Sequence, residues 1–69
     1  MEHYYTLFVR DDFENGEHIW GDQFSSHDLR DVKAEITEFY PGRQRDRLKI
    51  LKHDGSFETI QAENERLNR

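Results

Sequence analysis

The chain has 69 residues and a formal net charge of -5 at pH 7. This length suits one small domain, whose core buries only about 60% of the unfolded surface. Cysteine is absent, which excludes disulfides and thiolate chemistry, and no apolar run approaches the roughly 20 residues of a membrane span. Five Phe, three Tyr and one Trp nevertheless predict a folded core, although charged residues make up 36% of the chain.

Two strands joined by a turn are predicted first. Residues 4–10 contain the aromatic and β-branched run YYTLFV, and residues 18–24 contain a second strand-like run. Asn15-Gly16 lies between them and favours a tight hairpin, because both central positions of a type I′ turn need positive φ. A two-residue loop would place Glu14 opposite Glu17, which is unfavourable, so a longer loop is an alternative and the register stays open.

A helix is predicted over residues 26–40. Ser25 is placed to cap it, and Asp28 three residues later completes an acidic variant of the capping box. An apolar stripe at helical spacing is typical of a face that closes a core. Pro41-Gly42 ends the helix, since proline cannot continue it. The stripe consists of Leu29, Val32, Ile36 and Phe39.

The remaining residues predict a second hairpin. Residues 47–52 and 57–61 are strand candidates separated by the turn signal Asp54-Gly55, and residues 62–69 are polar and expected to fray. The whole chain, residues 1–69, is therefore predicted to form a single α+β domain. It is a ββαββ unit, in which a four-stranded antiparallel sheet of two hairpins carries one helix on one face. The other face would either expose apolar side chains, as a partner site does, or curl to bury them.

Four carboxylates form a second row along the predicted helix. Side chains three and four residues apart are neighbours on a helix, so the row is a ladder of like charges beside the apolar stripe. Arg30 and Lys33 belong to the opposite flank and are not expected to neutralise it. The acids either keep a small domain soluble or dock on a cationic partner, and the two interpretations have similar weight. The ladder is Asp28, Asp31, Glu35 and Glu38, and the first hairpin adds Asp11, Asp12, Glu14 and Glu17.

A basic segment follows the helix. Residues 1–39 hold ten acids and three bases, whereas residues 40–69 hold five acids and seven bases. The basic side chains either contact phosphate or pair with acids of this chain, and we favour pairing because an acidic protein is poorly suited to a nucleic-acid backbone. Homodimerisation, acidic half against basic half, is a related alternative. A nucleic-acid-binding module would use Arg43, Arg45, Arg47 and Lys49.

Motifs of catalysis and of metal binding are lacking in the sequence. The four histidines have no recognised ligand spacing, and the serines are explained as cap and turn residues. Neither a nucleophile elbow nor a phosphate-binding glycine loop is present. We therefore expect no catalytic residue, no metal and no cofactor. A small His-dependent nuclease is the weakest alternative, because the net charge opposes binding to its substrate.

In size, acidity and lack of catalytic motifs, the chain resembles small phage or mobile-element proteins that inhibit host enzymes, including anti-CRISPR and DNA-mimic proteins. This resemblance of type implies a non-enzymatic inhibitor whose partner is a protein with a basic, nucleic-acid-binding surface. Direct binding to nucleic acid is not expected. The N-terminal residues lack the pattern of a signal peptide, so we expect a cytoplasmic protein without membrane contact.

Overall fold

Three strands and two α-helices follow one another in the order β-β-α-β-α in the computed structural model, which describes residues 3–69. The elements are β1 Tyr4–Asp12, β2 His18–Ser26, α1 Leu29–Phe39, a 3-10 turn Arg45–Arg47, β3 Leu48–His53 and α2 Phe57–Leu67. The strands form one antiparallel sheet with the order β2-β1-β3. The central strand is therefore the first in the chain, and the two edges are β2 and β3.

The α+β class is right, but the predicted four-stranded ββαββ sheet with a single helix is wrong. Residues 57–61, predicted as a fourth strand, are the start of α2, and this helix continues to Leu67 through most of the tail expected to fray. Ile60 and Leu67 are half-buried and lie seven residues apart on one helical face, while Gln, Ala and Glu between them favour a helix. The run FETIQ is too short to distinguish the 3.6-residue period of a helix from the alternation of a strand. The residues after it, which continue the helical period, decide between the two.

Residues 6–9 in the middle of β1 are almost completely buried, with exposed fractions between 0% and 2%. Leu7 and Val9 pack against Val32 of α1 on one face of the sheet. Phe8 points to the opposite face because side chains alternate along a strand. Its neighbour across the sheet, Lys49, forms an ion pair with α2, so the second helix covers this face. The second helix is therefore sufficient to bury Phe8. The sheet need not curl over this side chain, and Phe8 is not part of an exposed apolar face.

The loop of the first hairpin has three residues rather than two. The backbone N–H of Phe13 donates to the carbonyl of Glu17 at 2.8 Å, and that of Gly16 donates to the carbonyl of Phe13 at 3.0 Å. Gly16 has a φ of 87°, so the loop is a type I turn followed by a left-handed glycine. The Asn15 side chain accepts the N–H of Glu17 at 3.0 Å, which stabilises the longer alternative.

A bulge in β2 decides which face of the sheet carries Trp20. By simple alternation, Trp20 and Phe24 would share a face. The register shifts between Leu7 and Phe8, so Phe24 pairs with Leu7 on the α1 face while Trp20 pairs with Arg10 on the α2 face. The bulge thus supplies one large aromatic side chain to each helix. Asn68, the C-cap of α2, anchors that helix by bonding to both backbone groups of Trp20, at 2.7 and 2.9 Å.

The helix α1 begins three residues later than predicted. Ser25 and Ser26 continue β2 instead, and the Ser25 hydroxyl lies 2.7 Å from the Thr6 hydroxyl across the sheet. Asp28 is the N-cap, because its carboxylate accepts the backbone N–H of Arg30 at 2.9 Å. Strand pairing therefore takes precedence over the predicted capping box. Within residues 3–69, neither helix has the length and apolar character needed to cross a membrane.

Candidate functional site

The predicted acidic ladder lies along the flank of α1 next to the edge strand β2. Asp31 shows this orientation, because its carboxylate accepts a hydrogen bond from the Ser26 hydroxyl of β2 at 2.8 Å. Glu35 and Glu38 follow at helical spacing, the first half-buried and the second exposed. Within residues 3–69, none of these three acids forms an ion pair. We call Asp31, Glu35 and Glu38 the acidic flank.

Asp28 has a different role from the other three acids of the ladder. It caps α1, and the guanidinium of Arg30 lies 2.8 Å from its carboxylate. The hydrogen bond from this guanidinium is the main reason that the pKa of Asp28 lies below its ordinary value. The expectation that Arg30 would leave the ladder unneutralised is wrong at this position, because Asp28 precedes the helix and faces the first turn.

Two of the hairpin acids are neutralised by cations of their own chain. Arg43 lies 3.1 Å from the carboxylate of Asp11. Arg10 and Arg47 each approach Asp12 to 2.9 Å, from β1 itself and from the 3-10 turn. The hydrogen bond from Arg10 holds the pKa of Asp12 below its ordinary value. These contacts connect the segment after α1 to the end of β1, so Asp11 and Asp12 act in the fold and contribute little free charge.

The other two hairpin acids, Glu14 and Glu17, are exposed at the loop. Neither is in an ion pair in the part of the chain that the structure describes. The chain returns to this end of the sheet after α1, because Arg43 donates to the backbone carbonyl of Arg10 at 2.9 Å. The last turn of α1, with Glu38, is therefore at the same end of the molecule as the hairpin loop.

The basic segment is largely occupied by contacts within the chain. Besides the two arginines on the hairpin acids, Lys49 lies 2.7 Å from Glu63 of α2. Glu63 also accepts a hydrogen bond from Arg66. The hydrogen bond from Arg66 and, second in size, the one from Lys49 lower the pKa of Glu63 to about 2. Arg45 is exposed and is free of ion pairs within residues 3–69. Only one of the four predicted phosphate-binding cations therefore lacks a carboxylate partner there.

A polar cluster on the α2 face of the sheet was not predicted from the sequence. The Thr6 hydroxyl, which is fully buried, lies 2.6 Å from Nε2 of His53 and 2.7 Å from the Ser25 hydroxyl. The backbone N–H of Gly55 donates to Nδ1 of His53 at 3.0 Å. Nδ1 is thus the acceptor, and Nε2 is the donor to Thr6. Each polar group has a partner inside the fold, so the cluster holds the end of β3 against β1.

The ring of Tyr4 extends this cluster towards the surface. It contacts the rings of His27 and His53, with centroids 4.0 and 5.9 Å away. The only sequence signal was that Tyr4 and Thr6 share one face of β1. Their histidine partners come from distant segments, which spacing along the chain does not reveal. Within residues 3–69, no group of three or more His, Asp or Glu side chains is arranged to hold a metal.

A scan of protein-family models and searches of curated proteins and of solved structures found no match to this chain. The candidate site therefore depends on the charge and geometry described above. The structure separates the predicted acids into two groups, those that form an ion pair within residues 3–69 and those that do not. The second group, which we call the acidic surface, is Asp31, Glu35, Glu38, Glu14 and Glu17.

Proposed function

We propose that this protein is a non-enzymatic inhibitor that docks its acidic surface on a basic, nucleic-acid-binding surface of another protein. The observation that supports this function best is the uneven use of charge. Arg43 and Arg47 contact hairpin acids, whereas the acidic flank forms no ion pair within residues 3–69. Like charges at helical spacing cost a few tenths of a kcal/mol per pair, so the row is unfavourable alone and favourable beside cations.

The spacing of the acidic flank suits a surface that normally binds phosphates. From Asp31 to Glu38 the helix rises roughly 10 Å, at 1.5 Å per residue. One strand of duplex DNA carries about three phosphates over the same axial length. Three carboxylates on a rigid helix thus have a charge density similar to that of a nucleic-acid strand. A cationic groove that binds such a strand is the partner surface that we propose.

The likeness to small phage and mobile-element inhibitors supports a host protein as the partner. Nucleic-acid-handling proteins have the cationic grooves that an acidic surface can occupy. We propose that the protein acts in the cytoplasm, where nucleic-acid-handling host proteins work, and that it does so without membrane contact. Blocking requires only binding, so the proposed function needs neither a catalytic residue nor a cofactor.

The alternative function, binding of nucleic acid by residues 43–52, has weaker support. Contact with phosphate would have to displace the carboxylates that now lie beside Arg43, Arg47 and Lys49. Each exchange would leave an acid of the fold facing the nucleic acid. The net charge of -5 adds long-range repulsion.

A capture experiment with matched charge variants tests the proposed function. The test variant replaces the acidic flank with amides, as Asp31→Asn, Glu35→Gln and Glu38→Gln. The control variant removes the same charge elsewhere, from exposed acids of the 3-10 turn and α2, as Asp46→Asn, Glu58→Gln and Glu65→Gln. Wild type and both variants are immobilised and exposed to an extract of the source cell, and retained proteins are identified by mass spectrometry and eluted with salt.

We expect partners that wild type and the control variant retain and the test variant loses. Because both variants have equal net charge, such a difference assigns binding to the flank rather than to overall acidity. Elution should require only moderate salt, since exposed charge pairs are screened beyond about 10 Å at 0.1 M. Each partner is then tested for binding of DNA or RNA with and without this protein. The proposal is wrong if the test variant retains every partner. It is also wrong if the partners bind nucleic acid equally well with and without this protein.

A further inference from the structure

An open groove lies on the opposite flank of α1 from the acidic flank. It forms because α1 lies over β1 and β2 and leaves the same face of β3 less covered. Its volume is about 410 Å³. Ile36 of α1 and Leu48 and Ile50 of β3 are half-buried and form an apolar floor. Such a floor beside a strand suits alternating side chains of an extended peptide.

Exposed cations surround this floor. Lys33 borders the groove from α1 and Arg45 from the 3-10 turn. Lys52 pairs with Tyr5, on the same face of the sheet as Ile50, and follows Ile50 by two residues along β3. All three cations are exposed and free of ion pairs within residues 3–69. In a protein of negative net charge, the groove is thus a local cationic site, and its charge complements an acidic occupant.

The backbone of β3 adds a second mode of recognition. This strand pairs only with β1 in the sheet order β2-β1-β3, so its outer edge is open in the described residues. The ladder between β1 and β3 is regular over residues 48–53, whereas the opposite edge strand, β2, has a bulge. Bulges disfavour edge pairing, so β3 is the better template for an added strand.

We propose that the edge of β3 and its groove bind an extended acidic segment of a partner protein, which adds to the sheet as a fourth strand. Apolar side chains of the segment would face Leu48 and Ile50, and an acidic one would lie opposite Lys52. These side chains are two residues apart, because alternate residues of a strand share a face. A second acid of the segment would reach Arg45 or Lys33, the other two cations that border the groove. This site does not depend on the acidic surface or on the proposed inhibition.

A symmetric peptide tests this site without knowledge of the natural partner or of strand direction. The probe is a capped heptapeptide with the sequence Glu-Thr-Val-Thr-Val-Thr-Glu, and its counterpart has Lys in place of both Glu. Each is titrated into the ¹⁵N-labelled full chain while backbone amide shifts are recorded. Lys33→Glu with Arg45→Glu is the test variant, and Lys33→Gln with Arg45→Gln is a milder version in case the first fails to fold. Arg69→Glu, beyond α2 on an exposed residue, controls for a general effect of charge.

We expect the acidic probe to shift amides of β3 and of the adjoining flank of α1, and to leave β2 unchanged. Affinity should fall at least tenfold in the charge-reversal variant, fall less in the milder one and change little in Arg69→Glu. The lysine probe should not bind. The proposal is overturned if the acidic probe shifts no β3 amide, since the cations would then only protect an open edge from pairing. It is equally overturned if single-stranded DNA shifts these amides more strongly, or if they shift with protein concentration alone, as a second copy would cause.

Discussion

Gly55 lies in the turn between β3 and α2, and we expect the one methyl group added by Gly55→Ala to lower the stability of the protein strongly. Gly55 and Gly16 both have positive φ, at 92° and 87°, so alanine at either costs about 1 kcal/mol of backbone strain. At Gly55 the added Cβ would lie 2.5 and 2.7 Å from two ring carbons of Tyr4, whereas at Gly16 nothing lies within 4 Å. The Tyr4 ring is held by its contacts with His27 and His53, so it cannot move without loss. Overpacking of this kind costs about 1–3 kcal/mol.

Gly55→Ala should therefore lower the free energy of unfolding by about 2–4 kcal/mol, and Gly16→Ala by about 1 kcal/mol. Urea denaturation followed by far-UV circular dichroism measures both, and an m-value of about 1 kcal/mol/M makes each kcal/mol a midpoint shift of about 1 M. In a Tyr4→Ala background the additional penalty at Gly55 should disappear, as a double-mutant cycle shows. Equal losses at the two glycines, or an additional penalty that persists without the Tyr4 ring, would show that the Tyr4 ring does not clash with a Cβ at position 55.

Three further changes have expected results that the same denaturation assay measures. The pKa of Glu63 is lowered from 4.5 to about 2, so its contribution to stability is complete above pH 4.5 and is lost as the pH falls towards 2. This pKa shift corresponds to at most roughly 3 kcal/mol of stability, and solvent screening reduces that value. Glu63→Gln should therefore lower the free energy of unfolding by about 1–2 kcal/mol at pH 6 and by almost nothing at pH 2. A loss of stability that is the same at both pH values would contradict this expectation. Thr6→Val should cost about 1–3 kcal/mol because Nε2 of His53 loses its buried partner, and a neutral result would mean that the cluster does not stabilise the fold. Asp28→Ala should cost about 1 kcal/mol through loss of the N-cap, and no loss would argue against Asp28 as the cap.

Local pattern is informative where a segment carries its own repeating signal. The run YYTLFV and the turn at Asn15-Gly16 indicate the first hairpin. The stripe of Leu29, Val32, Ile36 and Phe39 indicates the face of α1, but its last member is wrong as a core residue, because Phe39 is 59% exposed. The acidic row is also readable, because helical spacing alone places its members on one flank. What the pattern does not contain is the partner of each side chain. It therefore predicts a ladder of four acids, of which three are free of ion pairs within residues 3–69.

The second helix shows where local pattern is insufficient. The signal for α2 depends on Ile60 and Leu67 together, so the FETIQ run alone predicts a strand. The bulge in β2 has no sequence signature at all, and it moves Trp20 to the face that α2 covers. These two features belong together, because a sheet with large apolar side chains on both faces needs a helix on each.

Local sequence pattern was enough to predict the α+β class, the first hairpin, the helix with its charged flank, and the excess of acid in the first half of the chain. Which of those charges lack an ion-pair partner within residues 3–69 depends on the tertiary structure, because ion pairs such as Arg43 with Asp11 and Lys49 with Glu63 join residues far apart in the chain. It also created the cationic groove beside β3, since an edge strand exists only once strand order is set. Pairing and strand order both depend on long-range contacts, which spacing along the chain does not encode.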